Sequence, residues 1–192
     1  GLQPHENIKN LAIENYKGST FPLWMENTSQ PLILHHLVKM ELEDCSCCKQ
    51  VPPLGHLPCL KIVKMQGMVN VESIEADFYD FTNVHDQCST NSSASQVFPQ
   101  LRELTLREMT SLEKWSKPAN LSNHSSSVCP LLQKFQVDQC PKLKCLPNVM
   151  TTSHRLRRLE VAMCDSLDSL LEGAGGLASL EDLDIRRLQS LS

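Results

Sequence analysis

The chain is poor in aromatic residues and has no long hydrophobic run. Phe, Trp and Tyr make up 5% of its 192 residues, and no segment approaches the roughly eighteen apolar residues that a membrane-spanning helix needs. The formal net charge is only −4, which argues against a strongly basic nucleic-acid-binding surface. These absences predict a chain with no membrane span and no nucleic-acid partner, whose core is mainly aliphatic.

Motifs of common catalytic and nucleotide-binding sites are also missing. The sequence has no GxxxxGK[ST] loop, so this chain alone is not expected to bind or hydrolyse ATP. Its histidines offer no spacing that specifies a nucleophile with its base. Cys45 and Cys48 form one CxxC pair, but zinc normally takes a second pair or two well-placed histidines. We therefore expect no enzymatic activity, no small-molecule substrate, no metal and no cofactor.

The cysteines bear on the cellular compartment. Nine cysteines is an odd number in a chain too long to be a disulfide-stapled mini-domain, which favours reduced thiols and a cytoplasmic location. Four Asn-x-Ser/Thr triplets point the other way, but such triplets are frequent by chance in segments rich in Ser and Asn; they begin at Asn27, Asn91, Asn120 and Asn123.

What the sequence has in abundance is one repeated pattern. The stretch Leu101-Arg-Glu-Leu104-Thr-Leu106-Arg-Glu-Met109 follows the LxxLxLxx pattern of a leucine-rich repeat. Leu104 and Leu106 alternate with polar residues, so the leucines point to one side of a short strand and the polar residues to the other. One side is core, and the other is available for contact.

Seven copies of this pattern can be aligned, and they predict a single domain over residues 1–192 with strands near 10–14, 39–43, 62–66, 103–107, 134–138, 158–162 and 182–186. The predicted fold class is an α/β repeat solenoid: a right-handed leucine-rich repeat horseshoe with a parallel concave β-sheet. Prolines after the strands predict a mostly irregular or 3₁₀ convex side. The polar segments 75–96 and 116–128 are expected to be loop insertions. Because the chain starts without Met, we expect a fragment of a larger protein.

Cysteine recurs at one position of the repeat. Cys45, Cys140 and Cys164 follow three of the predicted strands, where a leucine-rich coil usually places an inward-pointing Asn. A thiol there acts as a small buried hydrophobe with a weak donor. We expect each one to hydrogen-bond the backbone of the next coil.

Two phrases resemble one protein family. Leu42-Glu-Asp-Cys45 followed by Pro52-Pro53-Leu54-Gly55-His56-Leu57-Pro58, and Cys140-Pro141-Lys-Leu143 followed by Leu146-Pro147, resemble the leucine-rich repeat region of plant intracellular disease-resistance proteins of the coiled-coil NB-LRR type. The resemblance implies an innate-immunity region that senses a pathogen effector, directly or through a guarded host protein. It also implies contact with the nucleotide-binding domain of the same receptor, which this region helps to keep inactive.

Two other functions fit a leucine-rich array. The chain could be a substrate adaptor of a ubiquitin ligase, or the ectodomain of a secreted or cell-surface repeat receptor. An upstream P-loop would select the immune receptor, an upstream F-box the adaptor, and a signal peptide the secreted receptor.

The candidate protein-binding residues are those that flank and separate the paired aliphatic residues of the strands. They are Lys39, Glu41, Glu43, Asp44, Glu103, Thr105, Arg107, Lys134, Gln136, Asp138, Arg158, Glu160, Asp182, Asp184 and Arg186. The alternative is a solvated sheet face, in which opposite charges on neighbouring strands each contribute well under ~1 kcal/mol.

We also hypothesise that the charge of this face changes along the array. The acidic end would lie around Glu41, Glu43 and Asp44, and the basic end around Arg155, Arg157, Arg158, Arg186 and Arg187.

Overall fold

Seven parallel five-residue strands form the main sheet of the protein. The computed structural model describes residues 3–26, 34–79, 97–116, 128–147, 154–168 and 179–188. The main-sheet strands are β1 (Asn10–Glu14), β2 (Lys39–Glu43), β3 (Ile62–Gln66), β5 (Glu103–Arg107), β7 (Lys134–Asp138), β8 (Arg158–Ala162) and β9 (Asp182–Arg186). Two-residue strands β4 (Ser73–Ile74) and β6 (Lys114–Trp115) form a second parallel sheet. The helices are α1 (Leu23–Glu26) and the 3₁₀ turn Ala76–Phe78.

The strands of the main sheet lie in the order of the chain and in strict register. Their order is β1-β2-β3-β5-β7-β8-β9, and every pair is parallel. The seven strands have the bounds that the apolar pairs predict. The prediction of a leucine-rich repeat solenoid with a parallel sheet is confirmed.

The second and fourth residues of each strand build the core. In β5, Leu104 and Leu106 are both 0% exposed, and their register partners in β2, β3, β7 and β8 are 2% exposed or less. In the last strand, β9, the same positions are open, because Leu183 is 52% exposed and Ile185 37%. The interior coils therefore bury their apolar pairs between two neighbours, whereas β9 pairs with only one strand within the described residues.

A left-handed residue follows every strand of the main sheet. These residues have φ between 50° and 70°: Asn15, Asp44, Gly67, Glu108, Gln139, Met163 and Arg187. The first six donate their backbone N–H to the carbonyl that ends the next strand, as from Asn15 to Glu43 at 2.9 Å and from Glu108 to Asp138 at 3.0 Å. The left-handed conformation of these six residues is unfavourable, but it lets each residue form a hydrogen bond between coils.

A second ladder joins the coils where the strands begin. The carbonyl before each of the first six strands of the main sheet accepts two amides from the next coil; for example, Lys9 accepts from Val38 at 2.7 Å and from Lys39 at 3.0 Å. Lys61 accepts from Arg102 and Glu103 in the same way, at 2.8 and 3.0 Å. Both ends of the strands are therefore fixed by main-chain contacts that do not depend on side-chain identity.

The described convex side is mostly irregular, with two short helices and the small β4–β6 sheet. An aromatic cluster packs beneath it. The ring of Phe78 lies 5.0 Å from Phe98 and 6.4 Å from Trp115, and Trp115 lies 5.9 Å from Phe135. Trp115 is a packing residue, 4% exposed.

This cluster corrects the start of the first predicted insertion. Within 75–96, Phe78 and Tyr79 are 1% exposed, and the Phe78 carbonyl accepts the N–H of Gly55 at 3.1 Å. A Cβ at Gly55 would lie 2.3 Å from the Tyr79 carbonyl oxygen, so the glycine admits this segment against the Pro-Pro-Leu-Gly phrase. Large rings following a polar stretch fold inward because burial of their area outweighs the cost of ordering the segment.

The end of the second predicted insertion also belongs to the core. Val128 is 2% exposed and pairs in parallel with Val97, and the next N–H, of Cys129, donates to the Val97 carbonyl at 3.0 Å. A β-branched apolar residue suits this paired, buried position. The rest of the two predicted insertions, 80–96 and 117–127, lies outside the described residues.

The repeated thiols are fully buried, but their hydrogen-bond partners differ from the prediction. Cys140 donates to the Asp138 carbonyl at 3.6 Å and Cys164 to the Ala162 carbonyl at 3.3 Å, both in the strand just completed. Cys45 reaches its own strand at Glu43 and the preceding coil at Ile13, each at 3.6 Å. The expected bond to the backbone of the next coil is wrong, since these backbone acceptors lie in the thiol's own strand or in the preceding coil.

Replacing Gly67 tests the left-handed turn. Gly67→Ala would strain a residue at φ 68° and bring its Cβ within 2.2 Å of Asp44 Oδ1, so we expect unfolding to become easier by about 1–3 kcal/mol. Urea unfolding followed by circular dichroism measures this. In an Asp44→Ala background the loss should shrink, since the clashing carboxylate is gone. An equal or larger loss in that background would contradict the assigned contact.

Alkylation tests the burial of the thiols. Cys47 and Cys145 are exposed, whereas burial raises the pKa of Cys129, and the hydrogen bond with Cys164 together with burial raises that of Cys140. Because the thiolate is the reactive form, iodoacetamide should label Cys47 and Cys145 in the folded protein and Cys129 and Cys140 only in denaturant. Peptide mass spectrometry reads out each site. Equal labelling rates without denaturant would refute the buried placement.

Candidate functional site

The first, third and fifth residues of the strands form one continuous face opposite the core. The candidate residues in β2, β5, β7, β8 and β9 lie on this concave face, except Asp44, which is the left-handed residue just after β2. The structure therefore brings these positions together on one surface. Most are exposed or half-buried, but Thr105 and Asp138 are each only 9% exposed.

A groove of about 340 Å³ lies over the first five strands of this face. Its lining includes Glu41, Thr105 and Gln136 from the candidate residues, but also Glu14, Lys64 and Gln66 from β1 and β3. Sequence reasoning omitted these three residues, although the same alternation marks their positions. A second groove of about 280 Å³ lies over β7, β8 and β9.

Ion pairs within and between strands neutralise part of the face. Lys39 Nζ lies 2.8 Å from Glu41 Oε2 on the same strand, and Lys64 Nζ lies 3.4 Å from Glu41 Oε1 across the β2–β3 pair. The hydrogen bond from Lys39, helped by the charges of both lysines, lowers the pKa of Glu41. These half-exposed pairs order the face but contribute little to stability.

In one ion pair the carboxylate is less exposed than in the other ion pairs of the described residues. Arg107 Nε and one terminal guanidinium nitrogen each lie 3.2 Å from Asp138 Oδ2. The Asp138 side chain is 13% exposed, and its buried Oδ1 has no hydrogen-bond partner among the described residues. A carboxylate held in this way depends on its arginine.

The hypothesis of one acidic and one basic end is wrong. At the proposed basic end, Arg158 lies 2.6 Å from Asp182 across strands, and Arg186 lies 2.5 Å from Asp184 within β9. The hydrogen bond with Asp182 raises the pKa of Arg158. Asp184 is two residues from Arg186, and Asp182 lies on the strand next to Arg158, so carboxylates of the same end of the array pair with these arginines.

Two other members of the proposed basic end are not on the concave face. Arg155 and Arg157 precede β8 and line a separate groove with His154 and Glu181. Arg157 lies 3.5 Å from Glu181.

Comparison with known proteins agrees with this architecture. The protein-family description "R13L1/DRL21 LRRs" matches residues 1–68. An RPP13-like disease resistance protein of Arabidopsis thaliana is 32% identical over 168 residues, covering 87% of this chain and 14% of that protein. The chain is a leucine-rich repeat region of the plant disease-resistance type.

Two relatives from Solanum bulbocastanum also match most of this chain. Disease resistance protein RGA2 of Solanum bulbocastanum is 28% identical over 192 residues, covering 99% of this chain and 18% of that protein. RGA4 of the same species is 30% identical over 161 residues, covering 83% of this chain and 14% of that protein. The chain thus spans less than a fifth of the length of these relatives. No solved structure gave a significant match.

The concave face offers charged and amide side chains for contact with another surface. In the described ranges, no group of three or more His, Cys, Asp or Glu residues is arranged to hold a metal ion. The longest helix found there, α1, has 4 residues, and none reaches the length or apolar content of a membrane span.

Removing the arginine that pairs with the buried Asp138 carboxylate tests its importance. Arg107→Ala leaves the Asp138 carboxylate without its partner, so we expect a loss of about 1–3 kcal/mol in the free energy of unfolding. Arg158→Ala is the matched control; the side chains of that pair are 51% and 59% exposed, and no measurable change is expected. Chemical denaturation measures both.

A second substitution checks the cause of this loss. Adding Asp138→Asn to Arg107→Ala should recover stability, because a neutral amide costs less to bury than a charge. Equal stability of the two arginine variants would contradict the assigned role of burial.

Proposed function

We propose that this resistance-type region is the protein-recognition part of a plant innate immune receptor. Its concave face contacts a pathogen effector or a host protein that the effector alters. It also helps to hold the receptor's nucleotide-binding domain inactive. The role is recognition, with no catalytic step assigned to the chain, and the receptor acts in the cytoplasm.

The observation that carries this proposal is the register of the main sheet. Seven in-register strands fix the side chains at the first, third and fifth positions as a two-dimensional array. Seven strands about 4.8 Å apart give a surface roughly 30 Å across, which is wide enough for a protein partner. The named relatives, which are disease resistance proteins, support the immune context.

The inactive state requires a second contact of the same region. An array fixed by backbone bonds at both ends of its strands keeps its shape, so a partner that docks on it can displace another by competing for shared residues. The cytoplasmic assignment is supported by the odd number of cysteines, 9, and by the family resemblance.

A matched pair of threonine substitutions tests the role of the face. Thr105→Arg places a long cation at the centre of the concave face, whereas Thr110→Arg places it on an exposed turn beyond β5. Each is introduced into the full-length receptor, expressed in leaves and challenged with a pathogen isolate that the receptor restricts. Immunoblotting of leaf extracts confirms equal protein levels.

We expect Thr105→Arg to change cell death and Thr110→Arg to leave it unchanged. Loss of pathogen-triggered cell death would indicate contact with the effector or guarded protein, because the arginine blocks docking. Cell death without the pathogen would indicate contact with the nucleotide-binding domain. Wild-type behaviour of Thr105→Arg at equal protein level would reject the concave face as the recognition surface.

A further inference from the structure

Two cysteines occupy neighbouring places in one row of the array. The second residue after each strand of the main sheet packs against the core, and in chain order these residues are Tyr16, Cys45, Met68, Met109, Cys140, Cys164 and Leu188. Among these seven residues, Cys140 and Cys164 are the only cysteines on adjacent coils. Both are 0% exposed. The row therefore places two thiols side by side inside the array.

Main-chain hydrogen bonds fix the spacing of these two cysteines. On one side of them, Gln139 donates its N–H to the Ala162 carbonyl at 3.0 Å. On the other side, Ser166 donates its N–H to the Pro141 carbonyl at 3.1 Å. The cysteines lie between these two bonds, so their Cα atoms are about one strand spacing apart, or about 4.8 Å.

The two thiols also have equivalent surroundings. Cys140 donates to the Asp138 carbonyl at 3.6 Å, and Cys164 donates to the Ala162 carbonyl at 3.3 Å. The two acceptor residues are register partners on β7 and β8. A hydrogen bond also joins the two thiols to each other. Since disulfides join Cα atoms that are roughly 4.4–6.8 Å apart, this pair can be bridged within the fold as it stands.

The hydrogen bond between the thiols makes them unequal. It lowers the pKa of Cys164, because a donor beside the sulfur stabilises the thiolate. The same hydrogen bond, together with burial, raises the pKa of Cys140. Because the thiolate is the nucleophile, Cys164 is the thiol that reacts first, and Cys140 is the thiol that reacts with the product.

Burial restricts which oxidant can act on this pair. Oxidation by glutathione disulfide passes through a mixed disulfide, and neither thiol has exposed surface on which to carry a bound tripeptide. Hydrogen peroxide is scarcely larger than water. In the coil of β9, next to Cys164, the core residues Leu183 and Ile185 are 52% and 37% exposed. Local opening of this weakly buried coil admits a small molecule to the thiols.

We propose that Cys140 and Cys164 form a reversible disulfide when the protein meets hydrogen peroxide. The Cys164 thiolate attacks one peroxide oxygen, the O–O bond breaks, and the leaving hydroxide takes up the thiol proton as water. The Cys140 sulfur then attacks the sulfur of the Cys164 sulfenic acid, the S–O bond breaks, and the hydroxide leaves with the Cys140 proton as a second water. Two thiols are oxidised to one disulfide, and one peroxide is reduced to two waters.

The bond is expected to be labile. Parallel side chains one strand spacing apart place their Cβ atoms about 4.8 Å apart, whereas disulfides hold them roughly 3.5–4.5 Å apart. The coils of β7 and β8 must approach each other slightly, and a strained disulfide is easily reduced by a dithiol, which is itself oxidised. Because β7 and β8 also line the second groove, closing the bond acts on that part of the concave face.

Peroxide treatment of the purified chain tests the proposal. After catalase removes the peroxide, free thiols are blocked with N-ethylmaleimide in denaturant, and the chain is digested with trypsin without reduction. Cleavage after Lys142 and Lys144 separates Cys140 from Cys145, so mass spectrometry identifies the linked peptides. We expect an intramolecular link between Cys140 and Cys164 that dithiothreitol removes. Glutathione disulfide at equal concentration should give no such link.

Serine substitutions test the separate roles of the two thiols. Cys140→Ser keeps a hydrogen-bond donor beside Cys164, so peroxide should leave a sulfenic acid on Cys164 that dimedone, added with the denaturant, traps. Cys164→Ser should leave Cys140 as a free thiol. Cys45→Ser is the matched control, because Cys45 lies in the same row between Tyr16 and Met68 and the link should form as in the unchanged chain.

The outcomes separate the pair from its chemistry. Oxidation of the exposed Cys47 without any link between Cys140 and Cys164 would overturn the proposal. A link formed equally well by glutathione disulfide would overturn the choice of oxidant. Dimedone on Cys140 in Cys164→Ser, with none on Cys164 in Cys140→Ser, would overturn the assigned order of attack. None of these results depends on Thr105→Arg, so the recognition role of the concave face is tested independently.

Discussion

The main-chain hydrogen bonds between successive coils are the interaction on which the rest of the structure depends. Neighbouring coils are joined by these bonds at both ends of their strands, as the first two coils are at Lys9 and Asn15, so the strands stay in register whatever their side chains. Register turns each repeat position into a row of neighbours about 4.8 Å apart. The core, the thiol positions and the concave face are three such rows.

This regularity requires an unfavourable backbone conformation. Of the seven left-handed residues, only Gly67 is glycine, and an L-residue held there costs roughly 1 kcal/mol or more. The inter-coil hydrogen bond made by the same residue offsets that cost. Asn15 and Asp44 adopt this conformation readily, whereas Glu108, Gln139 and Met163 have no such preference and each form the inter-coil hydrogen bond.

Sequence periodicity predicts the parts of the fold that each repeat contains in itself. Pairs such as Leu104 and Leu106 are enough to locate a strand and its buried side. Properties that arise between coils were harder to predict: the burial of Phe78 depends on a distant glycine, Gly55, and the partner of Arg158 is Asp182 on the next strand.

The same arrangement separates what can vary from what cannot. Face residues such as Glu41 and Lys64 form half-exposed pairs of small energetic value, so their identities can change without loss of the fold. The buried second and fourth residues of the strands cannot change so freely, because removing a methylene group leaves a cavity between two coils. Arg107 and Asp138 lie at the boundary, because Asp138 belongs to the face and is nevertheless buried, whereas its partner Arg107 is half-exposed. There, a substitution that changes the chemistry of the concave face also changes the stability of the central coils.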